Sequence, residues 1–290
     1  MGLAEWFKDF CSNLTIKNGE TISNRYKNIT KRLNTDYWNT TSDTSHSLYV
    51  GSYGRNTAID GFSDLDMIFR LPNSEYERYN NYSGNGQSAL LQAVKKSIEK
   101  TYSTTSIRGD GQVIVVSFND EIKFEVVPAF VKEDDSFTYP DANSGGRWRT
   151  TNPKPEIAAI RSRNKETNGN LVKLCRMIRA WKRKWSVPIG GLLIDTLAYQ
   201  FIQNSKYRNK SYAYYHYMSQ DFFDWMACQN SKQKYWKAPG SGQSVYGKGR
   251  FQYKAKRCYN ISLEAIEQEK AKPKKAKQKW REIYGTKFPS

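Results

Sequence analysis

The chain has 290 residues, 38% of them apolar, and a formal charge of +18 at pH 7; this is enough for one large or two modest folded bodies, and the charge points to a polyanionic partner: nucleic acid, an anionic surface or nucleoside triphosphates. Cys11, Cys175, Cys228 and Cys258 lie far apart and only two histidines are present, which argues against structural zinc and for a reduced, cytoplasmic protein that folds without disulfides. No apolar run approaches the roughly 20 residues of a membrane span, and residues 1–6 lack the basic-then-apolar order of a secretion signal, so neither membrane spanning nor secretion is expected.

Residues 3–40 place apolar side chains three and four apart (Leu3, Trp6, Phe7, Phe10, Leu14, then Ile22, Tyr26, Ile29, Leu33), the spacing of amphipathic helices. Leu48-Tyr49-Val50 reads as a short strand running into a Gly51-Ser52 turn, and 65–71 as a second strand stopped by Pro72. A polar loop is expected over 73–86, followed by a helix over 87–102. The runs 112–118 and 122–130 read as a hairpin joined at Asn119-Asp120-Glu121, with Pro128 implying a strand end or an edge. The segment 134–155, with Gly145-Gly146, Pro140, Pro153 and Pro155, reads as a boundary loop dividing 1–150 from 151–290. Beyond it helices are expected over 171–185 and 191–203, with weaker ones over 219–229 and 261–284. The lysine-rich run 270–279 fits either a solvated helix end or an anion-binding surface.

The chemistry concentrates between residues 51 and 125. In Ser63-Asp64-Leu65-Asp66 alternation sends Asp64 and Asp66 to one side of the strand and Leu65 and Met67 to the other. Two aligned carboxylates repel each other, a cost that a bound cation relieves. Glu125, set in the apolar run Phe124-Glu125-Val126-Val127, is the candidate third acid; the alternative is a solvent-facing residue beside Lys123. Together the three acids suit two magnesium ions, with manganese as a substitute, that would activate an acceptor hydroxyl and neutralise a nucleoside triphosphate. Gly51 and Ser52 offer close-approach amides and a hydroxyl to its phosphates. Arg55 would either close over those phosphates or cap the turn. On 171–185 the apolar residues Leu171, Leu174, Ile178 and Trp181 leave Lys173, Arg176, Arg179, Lys182 and Arg183 for the remaining surface, where Arg179 and Lys182 are candidate phosphate contacts. Trp148 and Tyr199 would stack on a base or pack structurally, Asn152 would read a base edge or make a turn, and His46 and His216 read as structural.

The pattern Gly51-Ser52, Asp64-Leu65-Asp66 and Glu125-Val126-Val127-Pro128-Ala129-Phe130 resembles the polymerase-β-like nucleotidyltransferases, in the branch of oligoadenylate synthases and cyclic GMP-AMP synthase. The segments 170–182, 190–198 and 280–289 are similar to those of bacterial cyclic-oligonucleotide synthases (CD-NTases) of CBASS-type antiphage signalling. The likeness runs from about residue 45 to the C-terminus. It implies an α/β nucleotidyltransferase lobe with a mixed sheet, a C-terminal helical lobe and an active site in the cleft. It also implies Gly51 and Ser52 at the donor triphosphate, Asp64, Asp66 and Glu125 at the metals, and Arg179 where oligoadenylate synthases carry a triphosphate-binding lysine. The expected activity joins two or three nucleoside triphosphates into a cyclic second messenger with release of pyrophosphate. A downstream effector protein would read the product, and a nucleic acid or phage-derived trigger would be the activator. The alternatives are a linear oligonucleotide or RNA nucleotidyltransferase and an inactive nucleotide- or nucleic-acid-binding module.

Overall fold

The computed structural model describes residues 2–61 and 64–290; Ser63, which opens the Asp-x-Asp segment, lies outside them. Helices α1 (Leu3–Leu14) and α2 (Gly19–Tyr37) each bury the stripe their spacing sets, Leu3, Trp6, Phe7, Phe10 and Leu14 on the first and Ile22, Tyr26, Ile29 and Leu33 on the second. Strand β1 (Ser47–Tyr49), the single turn α3 (Gly51–Gly54) and β2 (Leu65–Arg70) follow. Pro72, fixed at φ −66°, stands as the N-cap of α4 (Asn73–Asn80), which occupies much of the expected loop; it is polar apart from buried Tyr79, so it shows no apolar period. Next comes α5 (Gly86–Glu99), where the Asn85 side chain accepts from the Ser88 N–H. Strand β3 (Ser106–Asp110) is mostly exposed and carries no alternation for the eye to find.

Strands β4 (Val113–Ser117) and β5 (Lys123–Val131) form the expected hairpin, with Glu121 at φ 66° in its turn. The expected boundary loop instead holds a second hairpin, β6 (Phe137–Asp141) and β7 (Arg147–Thr151). The helices then run α6 (Lys154–Glu166), α7 (Asn170–Lys184), α8 (Gly191–Asn204) and α9 (Tyr215–Ala227). A short ribbon, β8 (Tyr235–Lys237) with β9 (Ser244–Tyr246), precedes α10 (Gln252–Gln268) and α11 (Pro273–Tyr284). Pro273 in the first turn of α11 divides what the spacing reads as one helix, since proline is accepted there and not in a helix interior.

The chain resolves into two units. Residues 17–54 and 61–154 form the sheet unit. Its strand order is β1-β2-β5-β4-β3, with β6 and β7 continuing from β5. The sheet is mixed: β2 and β5 run parallel, and the other pairs are antiparallel. Helix α5 lies against β3, β4 and β6, and α2 lies against α5. Pro128 is neither at an edge nor at a strand end. Pairing of β5 with β4 stops at Val126 and pairing with β6 starts at Phe130, so the missing N–H falls where β5 changes neighbours on that side.

The helical unit comprises residues 1–16, 55–60 and 155–290. Helix α1 therefore belongs with the C-terminal helices, which redraws the expected division at residue 150. Its aromatic stripe is the reason. Phe7 meets Trp280 and Phe288 edge-on at centroid distances of 5.0 and 5.3 Å, and Phe10 lies 4.7 Å from Tyr284. All five rings are essentially sealed from solvent, each contributing about 1.5–3 kcal/mol by burial. The four cysteines are free thiols, and only Cys228 is exposed. No helix among the described residues is long and apolar enough to cross a membrane.

Candidate active site

The sheet unit brings the three predicted acids to one region of β2 and β5. Leu65 and Met67 are buried while Asp66 between them is half-buried. On β5 the alternation is the same, with Phe124 and Val126 sealed and Lys123 and Glu125 half-buried. In the parallel register Asp66 stands directly beside Glu125, and residues opposite each other in a ladder project from the same side of the sheet. Glu125 thus shares a face with Asp66. Asp64, one step before β2, is exposed.

Lys123 lies on that face too, two residues before Glu125. Its Nζ is 3.3 Å from Asp64 Oδ1 and 3.1 Å from Glu125 Oε1. Partial burial disfavours this ammonium, but its hydrogen bond to Glu125 and the charges of Asp64 and Glu125 outweigh that and raise its pKa. For Glu125, pairing with Lys123 and a place on the acid face are not exclusive. The structure combines a Lys123 contact with the face of Asp66.

The turn is fitted to the acid. Gly51 has φ +58°, and a Cβ there would stand 1.7 Å from Asp66 Oδ2, so both conformation and space require glycine. The backbone locks the same pair, with the Val50 N–H donating to the Asp66 carbonyl at 2.9 Å and the Gly54 N–H to the Val50 carbonyl at 2.8 Å. Below it Tyr53 packs on Tyr49, which stacks on Tyr26 at 3.8 Å. Ser52, half-buried, sits in this turn.

All-carboxylate oxygen donors suit a hard divalent cation such as magnesium or manganese and do not favour a soft one. The set fits in chemistry and in face, although no three acid, histidine or cysteine groups among the described residues are drawn together around one point. Asp64 and Glu125 instead share the Lys123 ammonium.

The two arginines expected at phosphate are engaged by carboxylates. Both lie in the helical unit and both are buried. Arg179 donates from Nη1 to Asp195 Oδ1 at 2.5 Å and from Nη2 to Oδ2 at 2.9 Å. Arg55 donates from Nε to the same Oδ2 at 2.9 Å, and Thr57 adds its hydroxyl at 2.9 Å. Glu156, 3.7 Å from Arg55 and buried, makes the cluster two carboxylates to two guanidiniums. Burial alone would raise the Asp195 carboxyl, but the Arg179 and Arg55 charges overcome it and hold the pKa below the ordinary range. The spacing of α7 placed Arg179 on the surface because Asp195, its partner on α8, is sixteen residues away.

Lys182 differs. It is half-buried, has no carboxylate within salt-bridge distance among the described residues, and its pKa is lowered by burial and by the like charges of Lys248 and Arg179. Among the aromatic candidates, Trp148 is held in the sheet unit by Asn80, Tyr76 and Phe130. Tyr199 lies under the Arg163 guanidinium at 4.8 Å. His46 bonds Asn34 and stacks on Trp38 at 4.0 Å, a structural role. Lys123 and Asp195 are the residues that sequence reasoning left without a part. The signals were the shared parity of Lys123 with Glu125 and the lone acid in the apolar run Leu192-Leu193-Ile194-Asp195.

Comparison with known proteins converges on one family. The chain is 24% identical over 277 residues to a probable cyclic nucleotide synthase of Bacillus cereus (strain VD146), covering 83% of this chain and 81% of that one. Among solved structures it is similar to CdnC of Escherichia coli MS115-1 in a complex with HORMA-deltaN, with a TM-score of 0.70 at 12% identity over 99% of this chain and 98% of that one. It is also similar to the CD-NTase CdnG of Bradyrhizobium diazoefficiens in complex with GTP, with a TM-score of 0.67 at 11% identity over 97% and 94% of the two chains. Residues 1–164 match the Second Messenger Oligonucleotide or Dinucleotide Synthetase domain. With the mixed sheet, the acid face and the fitted turn, this match places the chain in that family of bacterial CD-NTases, which are nucleotidyltransferases of polymerase-β-like fold.

Proposed function

We propose that this nucleotidyltransferase condenses nucleoside triphosphates into a cyclic di- or trinucleotide, releasing pyrophosphate at each bond, and that magnesium held by Asp64, Asp66 and Glu125 is required. The observation that carries the reading is the register of Asp66 beside Glu125 with Gly51 seated on the Asp66 carboxylate. At each step a ribose hydroxyl oxygen bonds to the α-phosphorus of the donor as the bond from that phosphorus to pyrophosphate breaks, and the hydroxyl proton is released. Magnesium, when bound, supplies acidity at the hydroxyl and charge neutralisation at the triphosphate. The protein's part is positioning and preorganised charge. The glycine turn lets backbone amides and the Ser52 hydroxyl approach phosphate oxygens, while the Val50 to Asp66 hydrogen bond keeps turn and acid in fixed relation. Lys123 bridges two of the acids and offsets one of their two negative charges.

The names of the relatives support a cyclic product: the Bacillus protein is a probable cyclic nucleotide synthase, and CdnG and CdnC were solved with GTP and ATP respectively. Such a product would act in the cytoplasm as a second messenger in antiphage defence, read by an effector protein. The test is incubation with magnesium and the four nucleoside triphosphates, followed by phosphatase and mass spectrometry. A phosphatase-resistant oligonucleotide is expected from the wild type, with at least about a thousandfold less from Asp66→Asn, roughly 4 kcal/mol of barrier. A product that loses terminal phosphates would make the enzyme a linear synthase, and no bond formation by the wild type would leave only nucleotide binding.

A further inference from the structure

The helical unit contains a cavity of about 210 Å3 whose lining includes Lys8, Cys11 and Thr15 of the N-terminal segment, Lys173 and Arg176 of α7, and Tyr212. Three of its walls are cationic and none is acidic. Arg176 is half-buried, and the hydrogen-bond partners of its guanidinium are neutral: Asn56 Oδ1 at 2.8 Å and Thr15 Oγ1 at 3.5 Å. Its Nε is sealed from solvent and has no hydrogen-bond partner among the described residues. Lys173 extends over the Tyr212 ring, Nζ 5.0 Å from the centroid.

This is the reverse of the Asp195 cluster three residues further along the same helix. Buried charge is ordinarily paired, and one turn of α7 shows both conditions, Arg179 with a carboxylate and Arg176 without one. Burial pulls the Arg176 guanidinium below its ordinary range, with Arg179 adding repulsion. A cationic recess of this kind is completed by an anion. The space is below the roughly 300–1,000 Å3 typical of drug-sized ligands, so the anion is small. An oxyanion matches the forked donors of Arg176, the ammonium groups and the Thr15 hydroxyl, while the Tyr212 ring offers a flat apolar side.

We propose that this cavity is a binding site for a small phosphate-bearing molecule, its phosphate held by Arg176, Lys173 and Lys8 and any attached ring lying toward Tyr212. The site is independent of the acid face, since its residues all belong to the helical unit and the acids all belong to the sheet unit. Recession into a cavity favours a compact anion over the backbone of a duplex, which needs a continuous exposed surface.

The experiment is calorimetric titration of the full chain with inorganic pyrophosphate and with adenosine 5′-monophosphate, in EDTA so that no divalent ion is available to the acids. One saturable site per chain is expected, unchanged in Asp66→Asn and at least about tenfold weaker in both Arg176→Gln and Lys173→Gln. The second variant guards against misfolding, because Lys173 is only half-buried, and a thermal melt is expected to match the wild type. Tighter binding of the nucleotide than of pyrophosphate would assign the nucleoside end to Tyr212; equal or weaker binding would assign the site to the phosphate alone. The proposal is overturned by absence of saturation up to about 10 mM ligand, by wild-type affinity in Lys173→Gln, by loss of binding in Asp66→Asn, or by binding of duplex nucleic acid alone.

Discussion

Asp195 and Asp66 are both carboxylates among basic side chains, yet they sit in opposite conditions. Asp195 is fully buried, and its oxygens accept from Arg55, Arg179 and Thr57. Asp66 is half-buried on an acid-bearing face where Lys123 bridges Asp64 and Glu125. Burial demands neutrality at fixed distance, and α6, α7, α8 and the 55–57 segment supply it. Partial exposure leaves the carboxylates of the acid face within reach of solvent, so their charge need not be matched at fixed distance. Depth of burial therefore separates these two carboxylates: the sealed one holds helices together, and the one that keeps access to solvent is the candidate for chemistry.

The largest expected effect breaks the buried cluster. Asp195→Ala leaves two guanidiniums facing each other without their shared acid, and urea unfolding should show a loss of roughly 3–5 kcal/mol. An unchanged midpoint would mean that water replaces the carboxylate and that the cluster is not structural. Next comes Gly51→Ala, which forces a side chain to φ +58° and into the Asp66 carboxylate. Synthesis should fall about a hundredfold, near 2.7 kcal/mol of barrier, with circular dichroism intact; full activity would show that the turn and the acid are not a functional pair. The smallest effect sharpens the acid face itself. Lys123→Met removes the cation that competes for Asp64 and Glu125, so manganese affinity, read by electron paramagnetic resonance without nucleotide, should tighten about tenfold, or 1.4 kcal/mol. Weaker manganese binding would instead make Lys123 a positioning residue for those acids.

The acid face was legible because strand parity is a local rule. Asp64, Asp66 and Glu125 stand at alternating positions in apolar runs, and Gly51 precedes them by a short span, so period and composition locate them without knowledge of the fold. The Asp195 cluster was not legible. Its members lie at 55, 57, 156, 179 and 195, and only packing of the helical unit joins them, so Arg179 reads as a surface cation from the α7 period alone. The same limit applies to α1, whose amphipathic stripe announces a buried face but not whether Trp280 and Phe288 or a sheet will cover it. Helix α4 and strand β3 escaped for a different reason: one buried tyrosine and a nearly bare ribbon produce no periodic signal.

The change of neighbours at Pro128 divides β5 into two halves with separate duties. Lys123 and Glu125 lie where β2 and β4 flank the strand, while the β6–β7 hairpin is joined beyond the proline through Phe130 and Val131. The acid-bearing half takes its backbone pairing from β2 and β4, so a change at the tip of the hairpin reaches it only through side-chain packing such as that of Phe137 with Ile68 of β2.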